Sequence, residues 1–196
     1  MSRPASDRIP LPCPEPCDGK TAAPPPPDER AAAAVERHVA RLGVLVPRAS
    51  EESTRARMLG VVQAVAARID ASGCGGHPDR YARCVLHEDP AGWSLAAIVL
   101  RPGQATPTHD HGGWGGAVTV QGIERDRRFA GGADGTLELV AERDYPPGTG
   151  YLFAPADVHQ PVGADPAGVT VALHFLAPAD PAQTQHRHEQ DATRAT

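Results

Sequence analysis

Long apolar runs are missing from this sequence of 196 residues. No stretch approaches the ~20 consecutive apolar residues that a membrane-spanning helix requires. The N-terminal stretch MSRPASDRIPLPCPEPC also lacks the apolar segment of a secretory signal. We therefore expect a cytoplasmic protein that does not bind membranes.

An excess of basic residues is also missing, since the formal net charge is −5 and the isoelectric point is about 6.0. A surface that binds nucleic-acid phosphates usually shows as a basic cluster. The charged run ERDRR, from Glu124 to Arg128, mixes both signs and favours a solvated surface. We expect no nucleic-acid partner, and a monomer or weak dimer that binds small molecules.

Cysteines are few, at four. Cys13 and Cys17 flank the sequence PEP and lack the second pair of ligands that a zinc site would need. In a cytoplasmic protein the cysteines are expected to be reduced. We assign no role to Cys13 and Cys17.

The chain divides into one domain and two tails. Residues 1–27 are rich in proline and predict a disordered tail, and the polar residues 179–196 predict another. Residues 28–178 form the predicted domain. It begins with two helices within 28–70, the first ending before Gly43 and the second capped by Ser50.

From Tyr81 onward, short apolar runs alternate with turn sequences such as RPGQ, GGADG and PPGTG. Alternation with a period of two residues is visible in GTLELV and GVTVALHF. Many short strands with regular glycine and proline punctuation are typical of an all-β barrel or sandwich. The fold predicted is therefore an all-β core that follows two N-terminal helices.

His109 and His111 are the first candidates for chemistry. In a strand, side chains two residues apart point to the same face, so both imidazoles can reach one point. Imidazole is the commonest metal ligand, although a pair of surface histidines is an alternative interpretation. The pair alone does not decide between the two.

The residues around this pair resemble the first sequence motif of the cupins. Gly103 is followed by five residues, then His109 and His111, then three residues to Gly115, then six to Gly122. Gly115 stands where most cupins have a metal-binding glutamate. The resemblance implies a double-stranded β-helix, or cupin, barrel.

The second cupin motif is matched more loosely by PPGTGYLFAPADVHQ, in which Pro155 and His159 are one residue closer than usual. His159 would then face His109 and His111 across the barrel. Three neutral ligands leave the metal its full 2+ charge and favour an anionic ligand such as a thiolate. With the open positions that dioxygen needs, this set indicates Fe(II).

From about Tyr81 to Leu176 the sequence resembles the cysteine dioxygenase family, the thiol dioxygenases. The resemblance rests on YARCVLHEDPAGWSLAAIVLRPGQATPTHDHGGWGG, PADVH and VTVALHF. It is closest to the bacterial branch that includes 3-mercaptopropionate dioxygenases. It implies Fe(II) on His109, His111 and His159, and oxidation of a thiol to a sulfinate by dioxygen.

The family also implies a role for Arg83, which matches an arginine that binds the substrate carboxylate. Strand alternation puts Tyr81 and Arg83 on one face, but the pattern alone allows that face to point outward or inward. An inward arginine would need an anion, because an unpaired buried charge is costly. Tyr81 is included in the predicted substrate site, and Trp114 either lines it or packs elsewhere.

His174 matches the histidine of the family's Ser-x-His-x-Tyr motif, where it would orient a ligand or substrate. The alternative is a core histidine with a satisfied hydrogen bond. Ala172 and Leu176 replace the serine and the tyrosine, so two hydroxyl groups are missing. Tyr81 and Tyr151 are possible substitutes, and Leu176 is expected to contact substrate.

The predicted function is oxidation of a small carboxylate-bearing thiol, cysteine or a mercapto-acid, by an Fe(II)-dependent dioxygenase. Its partners would be the thiol and dioxygen. One alternative is a three-histidine cupin dioxygenase that acts on a carbon substrate such as a diketone. The other is a non-catalytic metal-binding cupin, which the loss of both hydroxyls keeps open.

Overall fold

The structure is a computed structural model that describes residues 8–11, 29–132 and 136–179, together with the backbone of residues 187–188. Most of the two predicted tails, with Cys13 and Cys17, lies outside these residues. So does Asp28, the first residue of the predicted domain.

Two helices open the domain, as predicted. Helix α1 spans Glu29–Leu45, a 3₁₀ turn spans Val46–Arg48, and α2 spans Glu52–Ala66. The expected stop before Gly43 is wrong, because this glycine lies within α1. A Cβ atom there would meet the ring of Trp93 at 3.4 Å, so the small residue allows close packing. The residue preceding α2 is Glu51 rather than Ser50.

Twelve strands occur in the described residues. They are β1 (Ile9–Pro10), β2 (Ile69–Asp70), β3 (Ala82–Glu88), β4 (Ser94–Leu100), β5 (Thr108–His109), β6 (Gly115–Gln121), β7 (Glu124–Gly131), β8 (Leu137–Tyr145), β9 (Gly150–Phe153), β10 (Val158–Gly163), β11 (Thr170–Leu176) and β12 (Arg187–His188).

Ten of the strands form two five-stranded antiparallel sheets, in the orders β3-β4-β11-β6-β9 and β12-β5-β10-β7-β8. The non-consecutive neighbours in each sheet are those of a double-stranded β-helix. The predicted cupin barrel with two preceding helices is therefore confirmed. No helix in the described residues is long and apolar enough to cross a membrane.

Strand β4 is buried on both faces, which explains why its sequence, SLAAIVL, is apolar throughout. Leu95, Ala97 and Val99 belong to the same core cluster as Met58 and Val62 of α2. The intervening residues of β4 point the other way, into the barrel. The sheet therefore has a helix-packed face and a face that surrounds the site.

The terminal segments contain more structure than the sequence indicated. Strand β1 pairs in parallel with β2, and Leu11 beside it is buried. Strand β12 pairs with β5, placing Arg187 opposite His109 in register. The prediction that residues 179–196 form a disordered tail is thus wrong for 187–188.

One of the two described cysteines departs from the expected reduced state. Cys74 is buried and disulfide-bonded, so the expected reduced state is wrong at this position. Its bonding partner lies outside the described residues. Cys84 is a free thiol buried in the helix-packed core, where desolvation raises its pKa.

Candidate metal centre

Three histidines converge inside the barrel. His109 ends β5 and pairs in register with His159 of β10, while His111 lies in the loop after β5. The Nε2 atom of His111 is 3.1 Å from Nε2 of His109 and 3.0 Å from Nε2 of His159. Neighbouring nitrogen ligands on one metal, at about 2.0–2.1 Å from it, lie roughly 3.0–3.4 Å apart. The three rings are thus arranged as a possible metal site.

The hydrogen bonds of two of these rings direct their lone pairs inward. His109 donates from Nδ1 to the carbonyl oxygen of Pro107 at 2.7 Å, and His159 donates from Nδ1 to Asp126 at 2.8 Å. In each neutral ring the remaining nitrogen, Nε2, is then an acceptor. Two acceptors directed at one small region fit a cation better than a proton, because His111 can contribute only one N–H there.

Burial favours the neutral form of His111 and His159. Desolvation, followed by the neighbouring His109, lowers the pKa of His111 to about 2. The same two causes lower the pKa of His159 well below its ordinary value. Neutral imidazole is the form that binds metal, so ligand protonation does not compete with metal binding near neutral pH.

Phe153 occupies the space of the missing glutamate. A Cβ atom on Gly115 would lie 2.3 Å from Cε2 of Phe153, and this ring stacks on His111 with a centroid separation of 4.5 Å. Phe153 is fully buried. Residue 115 therefore has no room for a carboxylate, and the donor set consists of the three imidazoles.

Gly115→Ala tests this packing. The added methyl group must displace Phe153 or the carbonyl oxygen of Phe175, at 2.7 Å, so we expect a loss of about 1–3 kcal/mol or more in the free energy of unfolding. Gly131→Ala is the control, because nothing lies within 4 Å of a Cβ atom there. Denaturant unfolding measures both. Equal stability of the two variants would contradict a Phe153-filled site.

Asp126 links His159 to an ion-pair network that runs from the barrel interior to the surface. Arg128 donates to Asp126 from Nε, to Asp157 from Nη1 at 2.8 Å and to the carbonyl oxygen of Leu152 at 3.1 Å. Burial raises the pKa of the Asp126 carboxyl, and the charge of Arg128 opposes that shift. A carboxylate behind a ligand histidine fixes its tautomer and makes it a stronger ligand.

Replacing Asp126 with asparagine should therefore weaken metal binding about 10- to 100-fold. Competition with a chromophoric chelator measures the dissociation constant. Asp144→Asn removes the same charge from an exposed ion pair with Arg125 and should leave affinity unchanged. Equal affinity of the two variants would rule out support of His159 by Asp126.

A cavity of about 650 Å³ adjoins the candidate metal centre. Both sheets and the loops at one end of the barrel line it. Its walls combine small, apolar and ionisable side chains: Tyr81, Arg83, Ser94, Ala96, Ile98, Thr106, Pro107, His109, Asp110, His111, Pro161, His174 and Leu176. The fully buried His159 is not among them.

The cavity brings together most of the residues predicted to bind substrate. Tyr81, Arg83, His174 and Leu176 all border it. Arg83 pairs in register with Ile98, which lines the same cavity, so its strand face is the inner one. The Arg83 side chain is 42% exposed, and its nearest carboxylate is Glu88 at 3.9 Å.

Trp114 does not line this cavity, so the expectation that it walls the substrate site is corrected. The guanidinium of Arg55 lies 3.7 Å from the centre of the Trp114 ring, and the ring borders a separate groove beside α1. It packs against the helix-side core cluster. Position 114 therefore falls on the outer side of the sheet.

Tyr151 does not border the cavity either. Its ring is buried behind His159, with a centroid separation of 6.1 Å. Burial, followed by the charge of Glu124, raises the pKa of its hydroxyl well above the usual 10.0. Tyr81 is thus the only one of the two proposed tyrosine substitutes that lines the cavity.

Glu124 and Asp126 belong to the site although neither is among the residues predicted from the sequence. The run that contains them was interpreted as solvated surface, but Glu124 is 0% exposed and Asp126 is 3% exposed. Arg125 and Arg127 do face outward and form ion pairs with Glu142 on β8. The strand period of two within ERDRR is the signal that could have identified both inward acids.

No family model matches the sequence. A double-stranded β-helix protein from Klebsiella pneumoniae is 17% identical with a TM-score of 0.46, over 58% of this chain and 83% of that one. The protein TT1209 from Thermus thermophilus is 20% identical with a TM-score of 0.42, over 52% and 86%.

An oxalate oxidase solved with the substrate analogue glycolate is 14% identical with a TM-score of 0.44, over 56% of each chain. At these identities and TM-scores the matches assign no reaction to this chain. The strand order itself gives the cupin barrel, and the three histidines inside it form a possible metal site.

Proposed function

We propose that this protein is an Fe(II)-dependent dioxygenase that converts a small carboxylate-bearing thiol to its sulfinate. The observation that carries the proposal is the donor set. Three neutral imidazoles meet beside a cavity, and Phe153 fills the position of the usual carboxylate. Such a centre retains a full positive charge toward the cavity and favours an anionic sulfur ligand.

The reaction balances without a further reductant. A thiol and dioxygen contain all the atoms of a sulfinic acid, and sulfur supplies the four electrons that reduce the two oxygen atoms. Fe(II), when bound by His109, His111 and His159, would bring the two reactants together and let electrons pass between them. The cavity walls would hold the thiol beside the three histidines.

Arg83 is the proposed anchor for the substrate carboxylate. It stands at the rim of the cavity, and its contact with Glu88 is a loose one between two exposed side chains. Such surface ion pairs contribute at most about 1 kcal/mol, so a carboxylate can displace Glu88. Leu176 and Ile98 supply an apolar wall for the carbon chain.

A dioxygenase that acts on a carbon substrate such as a diketone is the second candidate. The cavity volume favours it, because about 650 Å³ is within the range of about 300–1,000 Å³ typical of sites for larger ligands. Apolar walls at Ile98, Pro107, Pro161 and Leu176 would suit such a substrate. Arg83 at the rim favours the thiol.

Oxygen uptake separates the candidates. The protein is loaded anaerobically with Fe(II), mixed with single thiols or diketones and then exposed to dioxygen, and products are identified by mass spectrometry. We expect one dioxygen consumed per sulfinate formed with carboxylate-bearing thiols, and none with zinc-loaded protein. Cleavage of a diketone would establish the second candidate. Metal binding without turnover of any compound would indicate a non-catalytic cupin.

A further inference from the structure

A buried acid and a buried histidine join the two sheets beside the cavity. His174 of β11 donates from Nε2 to Oε2 of Glu124 on β7 at 3.0 Å. The Glu124 side chain is 0% exposed and that of His174 is 8% exposed. His174 borders the cavity, so the pair runs from the interior to the space where a ligand would lie.

The strand of His174 offers no hydroxyl to this ring. Residues 172 and 176 share its face, and they are alanine and leucine. The hydrogen-bond partner of His174 comes from the opposite sheet instead, and it is a carboxylate. The Glu124 carboxylate accepts from His174 through Oε2, and the hydroxyl of the buried Tyr151 is a second polar neighbour of this carboxylate.

A carboxylate that accepts from one ring nitrogen fixes the tautomer of a histidine. Because Nε2 of His174 carries the hydrogen that is donated in the hydrogen bond to Glu124, Nδ1 of the neutral ring carries a lone pair. A histidine held in this way can take a proton at its second nitrogen, and the carboxylate stabilises the imidazolium that forms. The arrangement is that of a general base with its orienting acid.

We propose that Glu124 and His174 form a dyad that receives the proton of the incoming thiol. This inference rests on the proposed thiol dioxygenase function. The S–H bond breaks, a new N–H bond forms at Nδ1 of His174, and the electron pair stays on sulfur as a thiolate. No oxidant or reductant takes part in this step, and the proton remains inside the protein.

Charge supports this assignment. A thiol that binds as a thiolate adds a negative charge to the cavity, and an imidazolium beside it balances that charge. Glu124 in turn balances the imidazolium, so the bound state contains alternating signs. Without Glu124, the imidazolium would be buried with less compensation, and burying an uncompensated charge is costly. Glu124 is thus a positioning residue, and His174 is the group that meets the substrate.

Counting protons during anaerobic thiol binding tests the dyad without any turnover. Cobalt(II)-loaded protein is titrated calorimetrically with a carboxylate-bearing thiol in buffers of different ionisation enthalpy. The pH is set near 7.5, about one unit below the pKa of a cysteine-like thiol. Thiolate binding to cobalt is followed separately by absorbance. We expect wild-type protein to release almost no proton to the buffer.

Glu124→Gln keeps the shape of the side chain and removes its charge. We expect this variant to release about one proton per bound thiol, since the weakened base no longer retains it. His174→Gln should also release about one proton per bound thiol. It replaces Glu124→Gln in the test if that variant does not fold. Glu138→Gln removes an exposed acid from β8 and should match wild type.

Two outcomes overturn the dyad alone: release of about one proton by wild-type protein, or equal proton counts for wild type and both dyad variants. Absence of thiolate binding to cobalt-loaded wild type overturns the proposed function, and the dyad with it. The absorbance and the calorimetric proton count therefore distinguish the two failures.

Discussion

His109→Ala is expected to reduce bound metal from about one ion per chain to background and to abolish thiol oxidation. His109 contributes one of three nitrogens within 4.8 Å of one another, and two imidazoles cannot hold a divalent ion against a chelator. This ligand is the best choice for a variant because it is partly exposed, whereas His159 is fully buried and its loss would leave a void.

Metal content after dialysis, measured by elemental analysis, is the direct readout. His38→Ala removes a histidine from α1 and should retain full metal loading and activity. Circular dichroism then shows whether the barrel remains folded. A folded His109→Ala protein that still holds stoichiometric metal would remove this ligand set from consideration.

Arg83→Ala should raise the KM for a carboxylate-bearing thiol by tens- to hundreds-fold. The loss corresponds to a charge-assisted, two-point contact worth roughly 2–4 kcal/mol. Cysteamine has no carboxylate, so its KM should change little. Because Arg83 stands at the rim and not among the imidazoles, kcat should fall less than KM rises.

Arg80→Ala is the matched control, since Arg80 is an exposed arginine three residues earlier and does not line the cavity. Equal increases in KM for both thiols would show that Arg83 shapes the cavity without binding a carboxylate. Equal effects of Arg80→Ala and Arg83→Ala would point to a general electrostatic attraction of anions.

Strand alternation made much of the site predictable. A period of two residues groups Tyr81 with Arg83, and His174 with Leu176, on one face of their chain segments, although it does not say which face points inward. The histidine spacing around His109 and His111 indicated which residues converge. These are local features of one strand or one loop, so a single sequence contains them.

The features of the site that could not be predicted from the sequence depend on contacts between residues that are distant along the chain. Nothing near Gly115 in sequence reveals that Phe153, from β9, fills its side-chain space. The bond from His174 to Glu124 spans fifty residues and two sheets. Trp114 resembles a pocket residue because it follows the histidines, but its ring packs against the guanidinium of Arg55 instead. Gly43 looked like a helix end because the Trp93 ring that it accommodates is remote in sequence.

The two faces of β4 have a practical consequence for engineering. Leu95, Ala97 and Val99 pack against the helices, while Ser94, Ala96 and Ile98 line the cavity. Changes of substrate preference and gains in thermal tolerance can thus be sought at interleaved positions of one strand. A combinatorial library limited to residues 94, 96 and 98 would vary the shape of the cavity. The other face of β4 would keep the apolar contacts with the helices that the barrel needs to fold.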